Sequence, residues 1–477
     1  MFETVIGLEI HVELNTKSKI FCSCSTKFGE RPNENTCPIC TGLPGTLPVL
    51  NEEVVKLAIR AGKALHCEIN TVNKFDRKNY FYPDLPKAYQ ISQFDLPICD
   101  KGYIDIETEL GPKRINLTRI HLEEDAGKLI HLEGEPVTLV DYNRTGVPLI
   151  EIVSDPDMRS PEEAVEFLRT LKSILEYTEV SDCRMEQGSL RCDANISIRE
   201  MGQKEYNTRV EIKNLNSFKE IQKALQKEEK RQKELYSFGE GHKIRQETRK
   251  WDSSKGKTVP MRSKEEAHDY RYFPEPDLLP VIIDKDTIIG IEKELPELPE
   301  QKKDRFLKEY MLSKYEIDIL VGNKALADYF EELMDLGIRP KDASNWILGE
   351  LLRVLKDEEG DEIPVRSEHL ATLIKLINEG KISHTAGKEV FDQLAATDKT
   401  PEEIIEEKSL VQISGTDELE KIIKEIIEEN TGAVEDFRNG KPKAIGFLMG
   451  QIMKASKGKA NPKSAKDILE NMLATLI

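Results

Sequence analysis

The sequence predicts an α+β protein, with a strand-rich mixed domain followed by an all-helical domain and a small helical tail. Up to about residue 290, short β-branched stretches alternate with Gly, Pro and Asn. From about 295 the apolar residues recur at helical spacing. Beyond Thr397-Asp398-Lys399-Thr400-Pro401 an acidic stretch gives way to a basic run. At roughly 100–200 residues per domain, a chain of 477 residues accommodates about three domains. Their boundaries read as 1–293, 294–405 and 406–477.

The opening strand alternates, with Ile6, Leu8, Ile10, Val12 and Leu14 on one face and Glu9, His11 and Glu13 on the other. Asn51 caps a helix over 52–65, Ser160-Pro161-Glu162-Glu163 opens a second with Pro at its first position, and 217–236 forms a charged third. Arg119-Ile120-His121-Leu122 and Ala194-Asn195-Ile196-Ser197-Ile198 are strands. The Pro-rich stretch from Tyr272 to Pro280 is not regular structure and leads toward a boundary. Leu326, Tyr329, Phe330 and Leu333, then Leu348, Leu351, Leu352 and Leu355, mark the helical domain. In the tail, acidic helix over 402–436 precedes Lys441, Lys443, Lys454, Lys457, Lys459, Lys463 and Lys466, with no acid between 439 and 466.

Composition excludes several classes. Hydrophobic residues make up 38% of the chain, enough for real cores, yet no run approaches the roughly 18–20 apolar residues of a membrane span. The start lacks the basic and apolar regions of a secretory signal, so the expected compartment is the cytoplasm. A net charge of −18 opposes indiscriminate binding to phosphate backbones, so a nucleic-acid partner needs a local basic surface such as the lysine run. A solvated surface balancing the acids before it is the ordinary alternative for those lysines. There is no P-loop and no dinucleotide fingerprint, so if ATP is used its pocket is unconventional, and with no G-x-S-x-G elbow and no cysteine in a glutaminase-like setting the chain is not expected to carry an amide-hydrolysing nucleophile.

Five segments carry candidate chemistry. Glu9 and His11 share one face of the opening strand. His121-Leu122-Glu123-Glu124-Asp125-Ala126-Gly127-Lys128 sets three acids before a turn, and Glu151 stands inside the apolar strand Pro148–Val153. A carboxylate there is costly unless paired or ligating, and hard oxygens from several strands suit Mg²⁺. The alternatives are a half-exposed edge strand with solvated polar residues, and an ion pair of Glu151 with Arg144 or Arg119. Cys22-Ser23-Cys24 and Cys37-Pro38-Ile39-Cys40 have the spacing of a closed four-thiolate Zn²⁺ knuckle, whereas Cys67, Cys99, Cys183 and Cys192 are scattered core residues. Between Phe75 and Gln93, five aromatics lie among Arg77, Lys78 and Lys87, either as a loop that stacks an unpaired base or as an irregular packed loop.

Taken together, Gly7–Leu14, Lys78-Asn79-Tyr80-Phe81-Tyr82-Pro83-Asp84, His121–Lys128, Gly188-Ser189-Leu190-Arg191-Cys192-Asp193-Ala194-Asn195, Asp269–Asp277 and Met449–Ser456 resemble the B subunit of the heterotrimeric aspartyl/glutamyl-tRNA(Asn/Gln) amidotransferase. The match runs in order over essentially the whole chain. The resemblance implies a catalytic cradle, a helical domain and a tail that embraces the tRNA body. It implies an amidase A subunit that releases ammonia and a small C subunit as partners. It also implies phosphorylation by ATP of the side-chain carboxylate on misacylated Glu-tRNA(Gln) or Asp-tRNA(Asn), followed by amidation. By the same resemblance Glu9, His11, Glu124 and Glu151 are catalytic, with Mg²⁺ on His11, Glu124 and Glu151. Lys78, Tyr80, Tyr82, Lys87, Arg191 and Asp193 face the acceptor end or nucleotide, the four cysteines hold structural zinc, and Lys441, Lys443, Lys454, Lys457 and Lys459 meet the tRNA body. From residues alone, a free-standing ATP-dependent carboxylate–amine ligase and a non-catalytic zinc-containing RNA-binding protein compete with this reading.

Overall fold

The computed structural model describes residues 2–132, 134–261, 270–357, 363–412, 416–439, 441, 443–456 and 460–475. The chain divides into two compact units, residues 1–301 and 302–477. The α+β expectation holds: the first unit is built on a sheet and the second is helical.

In the first unit, nine strands form one sheet in the order Lys257–Pro260, Glu247–Asp252, Val210–Lys213, Leu190–Glu200, Phe2–Glu13, Pro148–Ser154, Gly111–Glu124, Cys99–Thr108, Glu68–Ile69. The ladders are antiparallel except between Val210–Lys213 and Glu247–Asp252. The opening strand is therefore central, not an edge. Its alternation sets which face is buried: Ile6, Leu8, Ile10 and Val12 are all but inaccessible and pack against helices Glu52–Ala64, Pro161–Tyr177 and Phe218–Ser237. Each such buried side chain contributes about 1.5–3 kcal/mol. The helices start as their caps dictate, with the side chains of Asn51, Ser160 and Ser217 accepting from Glu53, Glu163 and Glu220 backbone N–H groups.

The other face of the sheet carries the polar residues. A small three-stranded sheet, Phe273–Pro274, Asp76–Asn79 and Tyr89–Ser92, packs beside the end of Gly111–Glu124. Phe273–Pro274 is thus a short strand inside a stretch expected to be irregular; Phe273 pairs with Arg77 at the sheet edge, where a proline at the next position is tolerated. The Arg77 guanidinium clamps this segment by two hydrogen bonds to the buried Glu275 carboxylate, at 2.7 and 2.9 Å.

In the second unit, helices including Lys324–Asp335, Ser367–Asn378 and His384–Ala396 are followed by Thr416–Glu429, Thr431–Arg438, Lys443–Ala455 and Pro462–Thr475. The last four enclose their own core of Leu419, Ile423, Leu448, Ile452, Leu469 and Leu473. Among the described residues no helix is long and apolar enough to cross a membrane.

Candidate active site

Register brings four polar residues into one row across four strands. Arg191 lies opposite His11, His11 opposite Glu151, and Glu151 opposite His121. One step along the same face, Asp193 lies opposite Glu9. The His11 Nε2 stands 3.4 Å from both Glu123 Oε1 and Glu151 Oε2, and His121 Nε2 stands 3.1 Å from Glu151 Oε2. Burial alone would raise both carboxyls, but the two imidazoles outweigh it and hold Glu151 well below the usual range and Glu123 below it. Two ionised, buried carboxylates thus face the two histidines.

Atoms of His11, Glu123 and Glu151 lie within 4.8 Å of one another, a donor set that fits a divalent cation. His121 Nε2 reaches the same Glu151 oxygen that faces His11 and so holds that carboxylate in the row, as outer groups commonly do around metal ligands. Glu124, grouped with His11 and Glu151 at the sequence level, is not among them. Strand alternation turns it away from Glu123, and its carboxylate pairs with Lys87 and accepts the Ile91 N–H at 2.9 Å. Glu123 occupies the place beside His11. Of the two arginines considered as partners for Glu151, Arg144 reaches Asp125 and the Ala126 and Gly127 carbonyls, and Arg119 reaches His121. The histidines pair with Glu151 instead.

Glu9 accepts from Asn195 at 3.3 Å, and burial together with the charges of Glu151, Glu211 and Asp193 raises its pKa. Asp193 is paired with Lys213, and Arg191 makes a two-pronged contact with Asp125. The Lys78 ammonium lies 5.0 Å from the centre of the Tyr270 ring. Its burial favours the neutral form, but Glu123, Tyr272 and Glu151 outweigh this and keep it charged. Among the described residues nothing hydrogen-bonds to that ammonium, which leaves its three donors for a ligand. Tyr80 packs edge-on to Tyr270 at 5.9 Å, and Tyr82 is half exposed. Tyr270, Tyr272 and Phe94 complete an aromatic wall that sequence reading missed, because they arrive from outside the 75–93 loop or at its edge.

Lys87 and Glu124 line a separate cavity of about 210 Å³ with Lys19, Tyr89, Cys22 and Cys40. The sulfurs of Cys22, Cys24, Cys37 and Cys40 lie within 4.8 Å of one another. Cys37 and Cys40 Sγ are 3.9 Å apart, close to the edge of about 3.8 Å that a tetrahedron with Zn–S near 2.3 Å requires. The hydrogen bond with Cys22 holds the Cys40 thiol down to about 4, and Lys19 Nζ lies 3.7 Å from its sulfur. Four sulfurs already gathered, one favoured as thiolate, fit a structural zinc ion. In the helical unit, Lys443 and Lys454 are exposed on the helix Lys443–Ala455 and Lys441 pairs with Asp436 at 2.7 Å. Lys457 and Lys459 lie outside the described residues.

The chain matches the GatB/GatE catalytic domain over residues 4–289 and the GatB domain over residues 328–473. It is similar to the B subunit of the aspartyl/glutamyl-tRNA(Asn/Gln) amidotransferase of Clostridium beijerinckii, at 64% identity over 477 residues and 100% of both chains. It is 62% identical over 475 residues to the second such B subunit of Clostridium acetobutylicum, covering 99% of each chain. The corresponding B subunit of Thermoanaerobacter pseudethanolicus is 57% identical over 475 residues, again with 99% of each covered.

Proposed function

The chain belongs to the GatB/GatE family as the B subunit of a tRNA-dependent amidotransferase, a carbon–nitrogen ligase, and from this premise we propose that its sheet face activates the side-chain carboxylate of a misacylated tRNA with ATP and transfers it to ammonia. The substrates are Glu-tRNA(Gln), Asp-tRNA(Asn) or both, and the work belongs to the cytoplasm. The observation that carries the reading is the row Arg191–His11–Glu151–His121, with Glu123 and the Lys78 ammonium beside it.

A carboxylate is a poor electrophile until one oxygen becomes a leaving group. In the first step that oxygen attacks the terminal phosphorus of ATP and ADP departs. In the second, ammonia adds at the acyl carbon, phosphate departs, and one ammonium proton is released. His11, Glu123 and Glu151 would hold a divalent cation, Mg²⁺ in this reading, which when bound offsets phosphate charge. Lys78 binds anionic oxygens with its free donors, and the ion pair with Asp125 fixes the Arg191 guanidinium next to His11. Glu9 lies on the same face, beside the row. Tyr80, Tyr82 and Lys87 face the acceptor end or nucleotide. The cysteine knuckle is structural, and Lys441, Lys443, Lys454, Lys457 and Lys459 meet the tRNA body. Functionally the chain divides as 1–293 for catalysis, 294–405 as helical domain and 406–477 for tRNA. An amidase A subunit supplies ammonia and a small C subunit completes the heterotrimer.

The test assembles the chain with those partners and follows amide formation on glutamate-charged glutamine tRNA with ATP, Mg²⁺ and ammonium, which bypasses the amidase. Product that requires both ATP and this chain supports the reading. No product with either glutamate- or aspartate-charged tRNA, despite intact tRNA binding, overturns it.

A further inference from the structure

Next to the candidate active site the first unit carries an open run of aromatic rings. Phe94 and Tyr272 are stacked, with centroids 4.2 Å apart and planes at 7°. Tyr272 meets Tyr270 at 6.0 Å, and Tyr270 meets Tyr80 at 5.9 Å, both edge-on. Phe94 is 57% exposed and the neighbouring Phe81 78% exposed. Large rings left facing water in a contiguous patch mark a contact surface. The wall is also held in place. The Asn79 backbone N–H donates to the Tyr270 carbonyl at 2.9 Å, and its side-chain amide donates to the Arg271 carbonyl at 2.9 Å. Arg271 lies over the Phe81 ring at 6.0 Å, and Lys78 lies over Tyr270 while its charge faces Glu123 and Glu151.

We propose that Phe94, Tyr272 and Tyr270 form a stacking platform for the unpaired 3′ end of the misacylated tRNA, ending at Lys78, where the charged amino acid meets the metal-binding row. This rests on the reading above and adds the residues that select the RNA end. Single-stranded ends are recognised by stacking on aromatic faces with cations beside them, and each ring accepts any base. A run of several rings suits successive bases. The single adenine of ATP would need one slot, and its phosphates are served by the metal-binding row rather than by the outer rings.

The assembled complex tests this with Phe94→Ala, Tyr272→Leu and Tyr272→Phe. Loss of a ring is expected to raise the KM for misacylated tRNA by about 5- to 100-fold, with the KM for ATP within twofold of the original and Tyr272→Phe close to unchanged. Independently of activity, 2-aminopurine in place of the terminal adenosine is expected to be quenched on binding, and less so in Phe94→Ala. A raised KM for ATP with unchanged tRNA KM would assign the rings to the nucleotide and overturn the proposal. Unchanged values for both, with unquenched 2-aminopurine, would reduce the wall to packing. Phe94 is exposed enough that its alanine variant is expected to fold, so its result stands if Tyr272→Leu does not. Failure of the unaltered complex to form amide would overturn the functional reading, while the fluorescence still reports on the platform.

Discussion

Replacing Glu123 by Gln removes one negative charge from beside His11 while keeping the shape of the side chain. The Glu123 oxygen stands 3.4 Å from His11 Nε2. At an effective dielectric of about 20, a unit negative charge acts on a divalent cation at that distance with about 10 kcal/mol. The His11 side chain is 24% exposed, and solvent screening, together with the amide oxygen that glutamine still offers, leaves about a quarter of that as the net loss. The expected loss is therefore roughly 2–3 kcal/mol, or about 30- to 150-fold in divalent-cation affinity. Mn²⁺ binding to the chain, followed by electron paramagnetic resonance, measures it directly. The Mg²⁺ concentration for half-maximal ammonium-dependent amide formation reads the same change in the complex. Glu124→Gln is the control, since that carboxylate faces Lys87 and the Ile91 N–H, and its expected effect on cation affinity is below about fivefold. An equal or larger effect of Glu124→Gln than of Glu123→Gln refutes the assignment.

Elemental analysis is expected to find one zinc ion per chain, and its removal by a chelator or by Cys37→Ser to lower the thermal midpoint of the first unit by about 1–2 °C per kcal/mol lost; an unchanged midpoint would argue against a structural role. In the helical unit, burial works against ionised Glu316, yet Lys341, Ser344 and Ser313 hold its carboxyl at about 2, below its ordinary 4.5. A depressed acid stabilises the fold above the unfolded value, so that contribution, about 1–3 kcal/mol, is present at pH 7 and lost as pH falls from 4.5 toward 2. Urea midpoints of Glu316→Gln and the original chain should differ at pH 7 and converge at low pH. Reversing Lys441, Lys443 and Lys454 to Glu is expected to weaken tRNA binding and to flatten its salt dependence by about 0.7–0.9 in log–log slope for each phosphate no longer neutralised, and an unchanged slope would make those lysines ordinary solvated surface.

Much of the fold was legible because local signals and burial agree. Asn51, Ser160 and Ser217 cap helices where their side chains suggest, and the alternation of Ile6, Leu8, Ile10 and Val12 names the buried face correctly. What alternation cannot give is the strand's place in the sheet. A half-polar strand reads the same at an edge and in the centre, and only pairing with Pro148–Ser154 on one side and Leu190–Glu200 on the other settles it.

The site shows the same division between local and long-range information. Glu123 is two residues from His121, so period-two alternation places it on the His121 face and Glu124 on the opposite one, a signal local to the segment. The row of Arg191, His11, Glu151 and His121 was not readable, since it depends on register between strands up to 180 residues apart, and a slip of one residue would turn each side chain to the other face. Register is set by the apolar face, where Ile10, Cys192, Ile152 and Ile120 are aligned and buried. The polar row is therefore positioned by the core beneath it. A substitution such as Ile10→Ala, which costs about 2–5 kcal/mol of packing, is expected to lower the urea midpoint and to loosen the divalent-cation affinity without touching any ligand. Unaltered affinity in a measurably destabilised Ile10→Ala chain would show that the row keeps its geometry independently of the core.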